Sequence, residues 1–278
     1  MRIITPHSGL DAFRDAWRSL VADFSKSREL GWRLFIRDTQ ASHRQSILGY
    51  LWLLLPSLAT AAVWIFLNDQ QLVRIDTGNT PYPLIVLSGT VLWTAFNTSV
   101  IGMQSILAEA RSVLSKISFP HEALILSAVA KSLLNSVVAA LVLIPAIPFY
   151  GHPLAPEMLL FPFAFLTLVV LGCACGLALV PVSALYSDVG RGVQLGLRFG
   201  FFVTPVIFLL PSDGPSRTLF LCNPATAPLV TGRHWLLNSE TGSPALTLVI
   251  FMVSLLVMLI STVIFKVTIP HVIERMNV

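Results

Sequence analysis

The sequence predicts an all-α membrane protein with six transmembrane helices, an N-terminal amphipathic helix lying at the interface, and a short helical hairpin, re-entrant or interfacial, between spans five and six. Three observations predict it. Hydrophobic residues make up 55% of the 278 residues and charged residues only 12%, a composition no ordinary soluble domain has. Six apolar runs, at about 48–67, 84–107, 123–149, 158–181, 194–211 and 245–265, approach the twenty or so residues that a bilayer core requires. Fifteen of the 18 Lys and Arg fall in the segments that lie on one side of such a six-span chain, and only Arg74, Arg217 and Arg233 fall on the other. By the positive-inside rule both termini are expected in the cytoplasm. The net charge of +4 follows the loops rather than forming a patch, so it implies no nucleic-acid partner.

Residues 1–47 form a polar and mixed cytoplasmic segment, 48–266 the six-span domain and 267–278 a cytoplasmic tail. In the first segment Leu10, Phe13, Trp17, Leu20, Val21 and Phe24 recur at helical spacing, with Asp11, Arg14, Asp15, Arg18 and Asp23 on other faces. Such a helix suits the inner leaflet or another protein segment. A second mixed segment, Trp32 to Ile36, leads through Arg37 and Arg44 into the first span. Nearly fifty residues precede that span, which excludes a cleavable signal peptide. Cys173 and Cys175 fall inside span four and Cys222 beyond span five, so no disulfide framework is implied.

Between spans two and three, Glu109, Arg111, Lys116, Phe119, Pro120 and His121 make a charged cytoplasmic connection in which a short helix is stopped by Pro120. Pattern alone leaves it open whether this is a solvated link or a docking element. Residues 212–244 are too short for a domain and too apolar for a free loop. Their greasy runs are interrupted at Asn223, Pro224, Arg233 and His234, so they must pack on protein or line a wet cavity, as a lid or a structural cap.

Gly192, Gly196 and Gly200 repeat at four-residue spacing, as do Gly172 and Gly176. Small residues at that spacing permit close helix contacts, within one chain or between two. Six helices about 10–12 Å across leave little room for a wide path, which a symmetric pair would supply.

The chemistry is defined as much by what is missing. None of the six runs contains Asp or Glu, the groups that proton- or sodium-coupled carriers place at membrane depth. No Gly-rich phosphate loop, His-Glu-x-x-His helix or Gly-x-Ser-x-Gly elbow is present. A membrane enzyme would want clustered acids, whereas Asp69, Asp76, Glu157, Asp213 and Glu240 are scattered. Lys131 and Arg198 stand near span ends, where long side chains snorkel to headgroups or meet a phosphate-bearing substrate. Arg191 and Arg198 share a helix face, which would suit a diphosphate. Trp52, Trp64, Phe199 and Phe202 serve as belt and packing residues or as surfaces for sugar rings.

The order and spacing of several pieces carry a resemblance. They are Arg37-Asp38, Gln45 to Trp52 with Pro56, Pro81-Tyr82-Pro83, Ser115 to Pro120, Tyr186 to Val189, Thr204-Pro205-Val206 and Asn223-Pro224. From about Trp32 to its end the chain resembles the transmembrane permease subunit of type-2 ABC exporters of lipid-linked polysaccharide, the O-antigen and capsule branch. The resemblance implies a homodimer in the bacterial inner membrane, bound to a separate cytoplasmic P-loop ATPase that holds the ATP and magnesium, with no cofactor in this chain. It implies a coupling element at Glu109, Arg111, Lys116, Phe119, Pro120 and His121, and an outer gate at Asn223, Pro224, Arg233 and His234. Channel-lining aromatics would be Trp52, Trp64, Phe199 and Phe202, and Arg191 and Arg198 are the substrate-headgroup candidates. Two departures stand out: Ser187 precedes Asp188 where relatives carry a basic residue, and the stretch from Ala41 to His43 is less basic.

Overall fold

The computed structural model describes residues 27–41, 48–73, 75, 80–114, 122–239 and 241–276. The amphipathic segment between Leu10 and Phe24 lies outside them, as do Lys116, Phe119, Pro120 and His121. Every regular element among the described residues is helical: α1 (27–41), α2 (Leu51–Asp69), α3 (Tyr82–Gln104), α4 (Ile106–Leu114), α5 (Glu122–Ala140), α6 (Leu143–Phe149), a 3-10 turn (Pro156–Leu160), α7 (Phe161–Leu185), α8 (Ser187–Phe202), α9 (Pro215–Leu221), α10 (Thr226–Leu237) and α11 (Pro244–Met276).

Five of these segments are long and apolar enough to cross a membrane: Leu51–Asp69, Tyr82–Gln104, Glu122–Phe149, Pro156–Leu185 and Pro244–Ile269. They correspond to predicted spans one, two, three, four and six. The tail expected from residue 267 continues α11 as helix to Met276.

The run at 194–211 differs from the expectation of one continuous span. Its helix, α8, starts earlier, at Ser187, and ends at Phe202. Pro205 explains the stop: it has no N–H to donate to the carbonyl one turn back, and its ring pushes Thr204 out of helical geometry. The chain instead makes a tight turn in which Val206 N donates to Thr204 O at 2.7 Å. Pro145 acts similarly in the third segment. Its ring opposes the carbonyl of Leu141, and the helix breaks there between α5 and α6.

The core is built on α3 and α7, which pack on each other along their lengths; α7 also packs on α11, and α3 on α5. Gly172 and Gly176 make the α3–α7 approach possible. A Cβ on Gly172 would stand 2.6 Å from Phe96 O, and one on Gly176 2.4 Å from Val100 O. In a bilayer, where lipid is as apolar as the helices, such backbone proximity replaces the hydrophobic drive. Leu92, Met103, Leu168 and Leu177 close this seam and are fully buried. By contrast α2 and α11 leave large apolar side chains exposed along their outer faces, including Leu55, Val63, Phe66, Val249, Met252 and Leu256. Helices with such faces are suited to lipid or to a second copy.

Candidate functional site

Two regions collect the polar and aromatic residues that the core does not use. The first is the broken segment 203–211 together with α9 and α10. Helix α10 sits against α7, α3 and α11 and is buried nearly all round. Arg233, near its end, is fully buried. Its guanidinium donates to Phe208 O at 2.8 Å, to Pro205 O, and to Val206 O at 3.5 Å. These carbonyls have lost their helical partners at the Pro205 break, and a rigid fork of donors satisfies them together. A second tie is side chain to side chain. Asn223 Nδ2 donates to Thr204 Oγ1 at 2.7 Å while Asn223 Oδ1 accepts from Ala225 N at 3.0 Å, capping the turn into α10. Thr204 in turn donates to Gly200 O at 2.7 Å, which closes the end of α8.

The expected quartet of Asn223, Pro224, Arg233 and His234 is thus only partly brought together. Asn223 and Arg233 act on the same broken segment from two sides, Pro224 is exposed on the turn, and His234 packs beside residue 242. The sequence marked these residues only as interruptions in greasy runs. The tie to Thr204 and Pro205 rests on a long-range contact that spacing cannot display.

The second region is the outward face of α8. Its inward face places Val193, Leu197 and Phe201 against the core, with Phe201 edge-on to Trp93 at 6.5 Å and Gly200 beneath the same indole. Its outward face exposes Arg191, Gln194, Leu195, Arg198, Phe199 and Phe202. Arg191 and Arg198 do share a face, and Arg191 pairs with Asp188 at 3.3 Å in an exposed contact worth little by itself. Among the described residues, Gly192 and Gly196 have no neighbouring atom within 4 Å of a Cβ position, so this half of the glycine stripe makes no close contact with them.

Of the four aromatics, Trp52, Phe199 and Phe202 are exposed, whereas Trp64 is half-buried and packs on the core. Helix α2 packs on α3 and α5, and α8 on α7 and α3. One copy therefore carries Trp52 and Phe199 on two helices that both pack on α3.

On the opposite side of α3, Glu109 begins α4 and accepts from Lys131 Nζ at 3.0 Å and from Ser105 Oγ at 2.9 Å. Lys131 therefore has a carboxylate partner, which the sequence reading did not anticipate. Glu122, at the start of α5, is nearly buried and is ion-paired with Lys266 of α11. The two pairs flank residues 115–121.

Fold and faces together define a class: a multi-pass membrane protein, helical throughout its described residues, in which α8 leaves a polar, aromatic face open. No protein-family model matches the chain. It is similar to the O-antigen export system permease protein RfbA of Myxococcus xanthus, with 29% identity over 214 residues, 76% of this chain and 80% of that protein. Two O-antigen export system permease proteins RfbA of Klebsiella pneumoniae match at 23% over 207 residues and 21% over 220, covering 73% and 77% of this chain. The resemblance carried by the motif order is the one these matches return.

Proposed function

We propose that this chain is the permease subunit of an ATP-driven exporter that moves lipid-linked polysaccharide of the O-antigen type across the bacterial inner membrane. The observation that carries the reading is the outward face of α8. Arginine and glutamine side chains on a membrane helix are costly against lipid and are found facing a wet path or a protein neighbour. Here they alternate with Phe199 and Phe202, flat apolar surfaces of the kind on which sugar rings stack. The substrate class comes from the names of the three relatives.

The chain crosses the membrane six times in this reading, with both termini cytoplasmic. The fifth crossing is discontinuous: α8, about 24 Å long, is continued by segment 203–211. The hairpin of α9 and α10 re-enters from the outer side as the gate, with Asn223, Pro224, Arg233 and His234. Two copies face each other so that α8 and α2 of both enclose the path, which brings Trp52, Phe199 and Phe202 to its wall, with Trp64 behind them. Arg191 and Arg198 stand at its cytoplasmic mouth, within reach of a diphosphate.

Energy comes from a separate P-loop ATPase that binds ATP and magnesium and pushes on the connection from Glu109 and Arg111 through Lys116, Phe119, Pro120 and His121. The chain itself makes and breaks no covalent bond. The absence of any carboxylate within the apolar runs supports this division of labour.

The test is gentle purification from the native membrane followed by reconstitution. An ATPase is expected to accompany the chain, and vesicles holding both are expected to export glycolipid with ATP after the ion gradients are collapsed. Export by this chain alone along a pH or sodium gradient would overturn the proposal.

A further inference from the structure

A cavity of about 270 Å³ lies between α1, the α3–α4 junction and α5. Gly31 lets α1 close it: a Cβ there would meet Ala123 O and Leu126 Cβ at 3.0 Å, so the helix backbone rests directly on the first turns of α5. Charged residues line it, Arg37 and Asp38 from α1, Glu109 from α4 and Lys131 from α5, and Asn135 and Thr98 line it with them.

The acids in this wall are occupied, while Lys131 and Asn135 keep N–H groups to spare among the described residues. Glu109 spends one oxygen on Lys131 and the other on Ser105. Arg37 directs its Nε and one terminal nitrogen to the same Asp38 oxygen, at 2.8 and 2.7 Å. Lys131 has three N–H groups and, among the described residues, one acceptor. Asn135, one helical turn further along α5, lines the cavity with its amide unpaired among the described residues. This half-exposed amide leaves its N–H groups available to an occupant that accepts hydrogen bonds.

The level of the cavity narrows the choice. From Lys131 to the end of α6 at Phe149 the chain rises roughly 27 Å, close to the 30 Å of a hydrocarbon core. Lys131 therefore stands at the headgroup boundary and Asn135 about 6 Å inside it. Trp32 and Ile36, on the free face of α1, are exposed at the same boundary, where tryptophan is favoured. Pockets for drug-sized ligands begin at about 300 Å³, so the space admits a headgroup and not a sugar chain.

The geometry points to a binding site for the phosphodiester headgroup of a membrane glycerophospholipid. Its phosphate oxygens accept from Lys131 and Asn135, and its acyl chains leave along the exposed apolar face of α5. The lipid would be held by α5, in a cavity whose other walls are α1 and the α3–α4 junction. The inference needs only that the chain spans a bilayer and is independent of what is exported.

The experiment is thermal unfolding of the delipidated full-length chain in detergent, titrated with phosphatidylglycerol, glycerol 3-phosphate or a polyprenyl monophosphate. Phosphatidylglycerol is expected to raise Tm by several degrees in a saturable way, and Asn135→Leu and Lys131→Met each to weaken the apparent affinity about tenfold. Arg33→Gln removes a cation from α1 outside the cavity and is expected to leave the titration unchanged. Asn135→Leu preserves the Lys131–Glu109 pair, so it decides the matter even if the lysine variant does not fold. An unaltered titration in Asn135→Leu would overturn the site. A full shift with glycerol 3-phosphate would reassign it to a soluble phosphate, and a shift with the polyprenyl phosphate alone would reassign it to the export substrate; either result overturns the phospholipid.

Discussion

The backbone of Gly89 in α3 lies so close to Val206 that a Cβ at position 89 would stand 1.9 Å from the Val206 carbonyl oxygen. The broken segment after α8 is thus seated directly on the central helix of the core. Gly89→Ala sets a methyl group against backbone that Arg233 holds from the other side. We expect a loss near the upper end of the roughly 1–3 kcal/mol typical of overpacking, read as a lower unfolding midpoint. Wild-type stability in this variant would mean that the segment sits elsewhere.

Arg233→Met removes the donors that satisfy the carbonyls of Pro205, Val206 and Phe208. Each buried group left unpaired costs about 1–3 kcal/mol, so the segment is expected to detach before the core unfolds. Limited proteolysis should then cut between residues 203 and 225 in the variant and spare the wild type. Arg233→Lys is expected to protect only partly, because an ammonium lacks the planar fork. Equal resistance in all three proteins would remove Arg233 from this role.

The Glu122–Lys266 pair fastens the start of α5 to α11. Losing one partner of a fully enclosed pair costs about 3–5 kcal/mol, but the Lys266 side chain is 21% exposed, so about 1–3 kcal/mol is expected for Glu122→Gln or Lys266→Met. The exchange Glu122→Lys with Lys266→Glu should recover part of the loss. A double-mutant cycle with coupling below about 0.5 kcal/mol would show the two residues to be independent.

The two glycine stripes should respond differently to bulk. Gly172→Leu drives a side chain into α3 and is expected to abolish the folded chain, whereas Gly196→Leu meets open space in one copy. If α8 faces a second copy, Gly196→Leu lowers dimerisation and leaves monomer unfolding unchanged, and Gly196→Cys forms an intermolecular cross-link. A chain in which Gly196→Leu unfolds like Gly172→Leu would place position 196 inside the protomer.

Much of the fold was legible from residue order because a bilayer imposes length and polarity directly on single helices. Runs one to four and six each reappear as a helical segment long enough to cross, with ends displaced by a few residues. Run five did not, although the Thr204-Pro205 pair that stops its helix was visible. Hydropathy averages over a window and is insensitive to one missing N–H. The candidate site was legible as a set of residue types: Arg233 stood out as a basic residue in a greasy stretch, and Arg191 and Arg198 as one face. The partners of Arg233 and Lys131 were not, because the carbonyls of Pro205 to Phe208 and the carboxylate of Glu109 are more than twenty residues away in the chain.

The amino-acid order alone settled that the chain is a helical membrane protein without carboxylates in its apolar runs, because hydrophobic length and charge are local quantities. Tertiary structure decided which glycines are spent inside the chain and which remain open, where the carbonyls freed by Pro205 find donors, and that Lys131 meets Glu109. Those outcomes depend on which helix lies beside which, and that is set by packing over the whole molecule rather than by any stretch of residues.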